Sequence, residues 1–330
     1  MSAAPAVSVV VPVYQCAQSI ELLHARVAAA LDSVWADFEL VFVDDRAPDG
    51  AWDVIRTLSE RDVRVRGVRL SRNFGQQAAI TAGIEHSRGA RIVVMDCDLQ
   101  DPPEEIPRLL AKAEEGYDIV FGRRMRKSMA GWRRWSGHLY FRLLNMFAGA
   151  EVESQRGAFS VISREVADRF LELGDHDRHY ILILNWLGFD RATIDYEHAD
   201  RLEGQSSYGL FSLVRLAFDG MFFQTTVLLR WIVYAGFAFA AAGVAFAVYV
   251  VISRLTESYY PGWASLAVFT LFIGGFIILS TGITGLYIGK VFEQVKGRPL
   301  FVVAETLEDG TSLPGAGVPQ RQPDPADYPV

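Results

Sequence analysis

Through the first 125 residues, apolar positions gather into short unbroken runs that each end in polar or charged residues. They are "VSVVVPVY" (7–14), "ELVFVDD" (39–45), "RVRGVRL" (64–70), "ARIVVMDCD" (90–98) and "YDIVFGRR" (117–124). Between them lie "QSIELLHARVAAALDSV", "GAWDVIRTLSERD", "GQQAAITAGIEHSRG" and "PEEIPRLLAKAEEG", whose apolar positions follow helical spacing. Short apolar runs bounded by turn residues read as strands, and the intervening period reads as helix. Strands alternating with helices of roughly 10–15 residues predict βαβ units and a largely parallel α/β sheet. In such a sheet ligands bind beyond the carboxyl ends of the strands. Asp44–Asp45 and Asp96–Asp98 both stand at such ends and should meet at one crevice.

Farther on the pattern changes in kind. Residues 231–252 and 263–289 contain no charged side chain, and each exceeds the roughly 20 apolar residues that cross a bilayer. Trp231, Tyr249, Trp263 and Tyr287 stand near their ends, as interfacial aromatics do. A pair of buried core helices is the alternative. Arg215 and Arg230 precede the first span and Lys290, Lys296 and Arg298 follow the second, whereas the loop between has Arg254 offset by Glu257. Basic flanks stay on the cytoplasmic side. The predicted organisation is therefore a cytosolic α/β domain over 1–205, an amphipathic juxtamembrane segment over 206–229 and two transmembrane helices over 230–290. A cytosolic C-terminal segment, 291–330, ends in a proline-rich stretch expected to be disordered. Gly285 with Gly289, and Ala238 with Ala242, form small-residue pairs that let helices approach closely. They serve a homo-oligomer or packing within one hairpin equally well.

Composition narrows the options. The chain has 330 residues, 51% apolar and 22% charged, with a net charge of −7. That describes a folded protein without the basic stripe of a nucleic-acid binder. No basic n-region precedes the first strand, so no signal peptide is expected. The two cysteines, Cys16 and Cys97, fit no zinc spacing and no disulfide framework, which agrees with a reducing compartment. No G-x-G-x-x-G follows the first strand and no Walker loop occurs, so a dehydrogenase and a P-loop NTPase lose their main support.

The candidate chemistry lies in "VVMDCDLQDPPE" (93–104), which closes an apolar strand with four carboxylates. At the strand end, where the chain turns, Asp96 and Asp98 can both reach one ion. Oxygen ligands without His or thiolate select Mg²⁺ or Mn²⁺, and magnesium is usually held by one or two carboxylates plus substrate phosphates. Asp101, Glu104 and Glu105 instead suit a helix N-terminus beside Pro102 and Pro103. Residues 123–134, "RRMRKSMAGWRR", are strongly basic, lack any acid and contain Trp132. A solvated loop is one reading; a lipid-phosphate or membrane-surface loop is the other.

The motifs "VSVVVPVY", "FVDDRAPDG", "LSRNFGQQAAITAGI", "VVMDCDLQDPPE", "VFGRR" and "RLEGQSSYG" occur in the order that resembles family-2 glycosyltransferases of the GT-A fold. The nearest branch is similar to the polyisoprenyl-phosphate glycosyltransferases, over about residues 7–300. The resemblance implies a nucleotide-sugar donor, UDP-hexose first, and a polyprenyl phosphate acceptor at a bacterial cytoplasmic membrane. It implies that Pro12, Tyr14, Asp44 and Asp96 contact the nucleotide. Asp96, Asp98 and Gln100 would surround the metal and diphosphate, with Asp98, Arg124 and Arg201 as catalytic residues. Arg123, Arg124, Arg133 and Arg134 would meet the acceptor phosphate, and Arg72 is a further candidate with a surface ion pair as the equal alternative. The chain departs from the family at Gln15–Cys16, at Ala158, where relatives often carry Asp, and at Ser207, where they often carry Lys. A processive polysaccharide synthase would need a Q-x-x-R-W motif, and "QTTVLLRW" has the wrong spacing. A catalytically silent scaffold is the remaining alternative.

Overall fold

The structure is a computed structural model that describes residues 5–32, 34–35, 37–125, 156–175, 178–197, 227–256 and 262–315. The chain divides into two units: Met1–Ala130 with Glu153–Ser206 and Arg298–Val330, and Gly131–Val152 with Ser207–Gly297. Arg133, Arg134, Arg201, the amphipathic stretch and the last 15 residues lie outside the described residues.

The first unit is built on strands β1 (Val7–Val13), β2 (Phe38–Asp44), β3 (Val65–Leu70) and β4 (Arg91–Val94). All seven residues of β1 and of β2 are buried. Continuous apolar runs of this kind mark strands covered on both faces. Period-two alternation divides them between two cores. Val9, Val11, Leu40 and Phe42 pack under α1 (Ala17–Leu31), α2 (Ala51–Arg61) and α4 (Ile106–Glu114). Val10, Val41 and Val43 face α3 (Gln76–His86), α5 (Arg164–Glu172) and α6 (Tyr180–Leu187). Helix α3 lies so close to the sheet that a Cβ on Gly83 would come within 2.2 Å of Val10 and 3.0 Å of Val43. Nothing larger than glycine fits there.

Strands β5 (Ile119–Met125), β6 (Arg156–Ser163), β7 (Arg191–Glu197), β8 (Val303–Glu308) and β9 (Thr311–Pro314) complete a nine-stranded sheet in the order β7-β5-β6-β4-β1-β2-β3-β8-β9. The predicted parallel centre is present, β3-β2-β1-β4, and β5 is parallel to β7. Strand β6 enters antiparallel between β4 and β5, and β8 and β9 add antiparallel strands at the far edge. The sheet is thus mixed. The C-terminal segment, expected only as a cytosolic extension, supplies two of its strands.

The cysteine expectation is corrected: Cys16 and Cys97 form a disulfide, with Cα atoms 6.4 Å apart. An 81-residue separation conceals their proximity. Strands β1 and β4 are neighbours in register, Val10 opposite Val94, so residues just past their ends are forced together.

In the second unit the described residues form α7 (Val227–Thr256) and α8 (Trp263–Val295). Phe239 contacts Phe272 and Phe276, and Phe246 contacts Phe269, with ring centroids 4.7–5.7 Å apart. The falling partner numbers make the helices antiparallel. Among the described residues one stretch, Phe272–Val295, is long and apolar enough to cross a membrane.

Candidate active site

Loops from the carboxyl ends of β1, β2 and β4 converge, and each contains a non-glycine residue in the left-handed region: Gln15 (φ 56°), Arg46 (φ 57°) and Leu99 (φ 59°). Such backbone costs about 1–3 kcal/mol per residue and collects where function constrains a loop.

Asp44 closes β2 and is fully buried. One of its oxygens accepts from the Ala47 amide at 2.8 Å, and the other lies 3.2 Å from Arg69 Nε without hydrogen-bond alignment. Burial pushes its pKa up, against the Ala47 bond and Arg69. Asp45, also buried, accepts from the Phe74 and Gly75 amides at 2.7 and 2.8 Å and so pins the loop leading into α3. Burial raises its pKa too, against those bonds. Tyr14 is 46% exposed at the end of β1, whereas Pro12 is buried within the strand opposite Val43. A side-chain contact from Pro12 to a ligand is therefore not presented. Arg72 lies over the Phe74 ring, 4.1 Å from its centroid, and donates to the Asn73 carbonyl.

Asp96 and Asp98 stand half-buried after β4. Asp96 accepts from Gln76 Nε2 at 2.7 Å and lies 3.7 Å from Arg124. Burial, with the negative charges of Asp101 and Asp98, pushes its pKa up to about 6. Asp98 accepts from the Gln100 amide at 3.2 Å. Among the described residues no three His, Cys, Asp or Glu side chains converge as a metal cage. An all-oxygen pair in which burial and neighbouring carboxylates outweigh the relief that Arg124 and Gln76 give Asp96 fits a divalent ion that takes its other ligands from substrate phosphates.

Arg124 comes from β5, and its guanidinium is 3.2 Å from Asp101 and 3.2 Å from the Tyr196 hydroxyl of β7. The Tyr196 hydroxyl also donates to Asp101. Burial opposes the charge of Arg124, but Asp101, Tyr196 and Asp96 overcome it and raise its pKa. Gly157 makes room for this group, since a Cβ there would lie 2.9–3.1 Å from the guanidinium. Arg123 alternates to the other side of β5 and forms a two-toothed pair with Asp195 at 2.5 and 2.9 Å.

Residues 8–171 match the family described as Glycosyl transferase family 2. An undecaprenyl-phosphate 4-deoxy-4-formamido-L-arabinose transferase of Shewanella sediminis is 36% identical over 318 residues, 94% of this chain and 95% of that protein. The chain belongs to glycosyltransferase family 2. An uncharacterized glycosyltransferase of Bacillus subtilis is 33% identical over 91% of this chain and 93% of its own length. A mannosyltransferase of Pyrobaculum calidifontis, solved with GDP-Man and Mn²⁺, is 17% identical with a TM-score of 0.44, covering 89% of this chain and 88% of that one. The fold of the first unit is the GT-A fold of the family.

Within this family-2 domain the structure brings together Tyr14, Asp44, Asp96, Asp98 and Gln100 at adjoining strand ends, with Arg124 beside Asp96. The helix-terminus reading holds for Glu104 and Glu105, which stand in the first turn at Pro103–Glu105, and is corrected for Asp101. Asp101 is fully buried beneath Arg124, Glu104 pairs with Arg26 and Glu105 with Arg108, and no side chain caps the turn at Pro103–Glu105 or α4. Sequence reasoning missed Asp101, Tyr196 and Gln76. Only Asp101 had a signal: a carboxylate in register with the Asp96–Asp98 turn, absorbed by the helix that follows.

Proposed function

We propose that the chain is an inverting glycosyltransferase that moves a sugar from a nucleotide-sugar donor to polyprenyl phosphate at the cytoplasmic face of a membrane, with Mg²⁺ or Mn²⁺. The observation that carries this reading is shared length. The Shewanella arabinose transferase matches 94% of the chain, so the match cannot be confined to the catalytic domain. Asp96 and Asp98 would hold the metal, which when bound would neutralise the leaving diphosphate. Tyr14 and Asp44 line the nucleotide end. Arg124, kept charged and aimed by Asp101 and Tyr196, orients phosphate at the reacting end. A phosphate monoester with a second pKa near about 6 arrives ionised. It requires positioning more than a base, which accounts for Ala158 where relatives often carry Asp.

Sheet connectivity supports an even number of membrane crossings. Strand β8 bonds to β3 of the first unit, so a chain that leaves this unit after Ser206 is back on the same side by Val303. On this reading α8, which contains the stretch Phe272–Val295, makes one crossing and the antiparallel α7 would make the other. The small-residue pair Gly285 and Gly289 would let a second copy approach closely, and a homo-oligomer is read from it. Chemical crosslinking in native membranes that finds only monomer would sink that assignment.

The donor is read as UDP-hexose; the name of the Shewanella relative adds 4-deoxy-4-formamido-L-arabinose as a second candidate sugar. The deciding test incubates the full chain in membranes with undecaprenyl phosphate and a panel of nucleotide sugars. One lipid-linked monosaccharide is expected. Polymer would identify a processive synthase, and no product with any donor would leave a scaffold. Within the basic loop, neutralising Arg133 and Arg134 should raise KM for polyprenyl phosphate and leave KM for the donor unchanged. A shift in donor KM alone would remove the acceptor role.

A further inference from the structure

The geometry points to Cys16–Cys97 as a reversible thiol–disulfide site that sets how firmly the donor and metal loops are held. This rests on the cytosolic placement and the donor site proposed above. These are the two cysteines of the chain, and the fold spends both at one place. Cys97 stands between Asp96 and Asp98, and Cys16 follows Tyr14 and Gln15 at the start of α1. Their Cα separation of 6.4 Å lies inside the range a disulfide spans. Cys97 is buried and Cys16 only partly so, which leaves Cys16 as the sulfur open to exchange.

The bond links two loops that are locally strained. The Ser19 hydroxyl bridges the carbonyls of Cys16 and Cys97 at 2.8 and 2.7 Å. On either side of the disulfide, Gln15 and Leu99 occupy left-handed backbone that their side chains disfavour. Without the crosslink those two residues are free to relax, and the Asp96–Asp98 turn relaxes with them. In the oxidised form the two carboxylates are held in place before the metal arrives.

In reducing compartments, disulfides of ordinary proteins are mostly transient, either catalytic or redox-sensing. The exchange balances with a low-molecular-weight disulfide as oxidant. The Cys16 thiolate attacks one sulfur, releasing one small thiol and forming a mixed disulfide. The Cys97 thiolate then attacks the Cys16 sulfur and releases the second small thiol. Two protein thiols become one disulfide, and the small disulfide becomes two thiols that take up the two protons.

The test equilibrates the full chain in detergent with glutathione buffers of graded ratio. The crosslink is counted by mass after alkylation, and amide exchange is followed at 14–17 and 95–101. The expected result is a native, reversible transition within the glutathione range, with exchange in both loops at least about tenfold faster after reduction. Cys16→Ser should exchange like the reduced form under every buffer. A disulfide that resists all glutathione ratios makes the bond a fixed structural one and overturns the proposal, as does a bond that never forms. Equal loop exchange in the two states also overturns it. Mn²⁺ binding in the presence of UDP, measured on the same samples, should weaken several-fold on reduction. If neither state binds Mn²⁺ with UDP, the donor reading fails, while exchange still decides the role of the disulfide.

Discussion

At the amino ends of β1 and β2, buried Glu39 accepts from Ser8 Oγ, from Arg66 and from the Arg88 amide. Nearby Glu308 is shared by Arg66 and Arg88. Burial would raise the Glu308 carboxyl, and the two arginines overcome it and hold it below its ordinary value. At the carboxyl ends of the same strands and of β4, Asp44, Asp45 and Asp96 are all pushed upward by burial that their partners do not offset. The same sheet thus buries acids in two ways. Compensated acids hold the fold together. Under-compensated acids cost stability, and that cost makes sense where a cation or a substrate donor is to complete the set.

The largest test of this contrast pairs one acid from each end. Asp98→Asn should lower turnover by about 10³-fold or more with an unchanged melting temperature. Glu39→Gln should cost about 2 kcal/mol of stability with turnover preserved. Full activity of Asp98→Asn, or of the parent in excess EDTA, would break the assignment of the carboxyl end.

Arginines sharpen it next. Arg124→Ala should reduce kcat by about 10²-fold. Arg66→Ala, which strips a partner from two acids, should destabilise by about 3 kcal/mol and leave kcat within about twofold. If both variants lose only stability, Arg124 is a fold residue like Arg66.

A smaller effect is expected from Tyr196→Phe. It removes one bond to Arg124 and the donor to Asp101, and should lower kcat about tenfold without moving donor KM. A donor KM that rises with kcat unchanged would place Arg124 on the nucleotide instead.

The smallest effect is in pH. Asp96 titrates near 6 when folded, against about 4 in an unfolded chain. Between those values the folded state holds the extra proton, so this group's contribution to stability is greatest at low pH and is lost as pH rises through 6. Relative to Asp96→Asn, the metal-free parent should gain about 1 kcal/mol between pH 7 and pH 5, while its Mn²⁺ affinity weakens below pH 6. A flat difference between the two proteins would remove the strain from Asp96.

The parts of the fold that could be read from sequence are those whose signal is local. Val7–Val13 and Phe38–Asp44 are apolar throughout because both faces are covered, and the acids that end β2 and β4 stand out against that background. What escaped depends on contacts between distant segments. Strand β9, "TSLP", is exposed along its length and has little apolar pattern, and β8 is a strand because β3 offers it an edge. Asp101 sits where a helix terminus also wants an acid, and only Tyr196 and Arg124, from β7 and β5, show its use. The cysteine pair was hidden by the same mechanism, since sequence distance says nothing of neighbours in a sheet.

The strand that returns from the second unit also sets an order of events during synthesis. Arg66 and Glu308, partners across the β3–β8 seam, are 242 positions apart. The ribosome must therefore finish both long helices before the catalytic sheet can close its edge. Until then β3 presents unpaired amides and carbonyls, the kind of edge that invites wrong partners. Completing the sheet is therefore itself a report that the other half of the chain has been made.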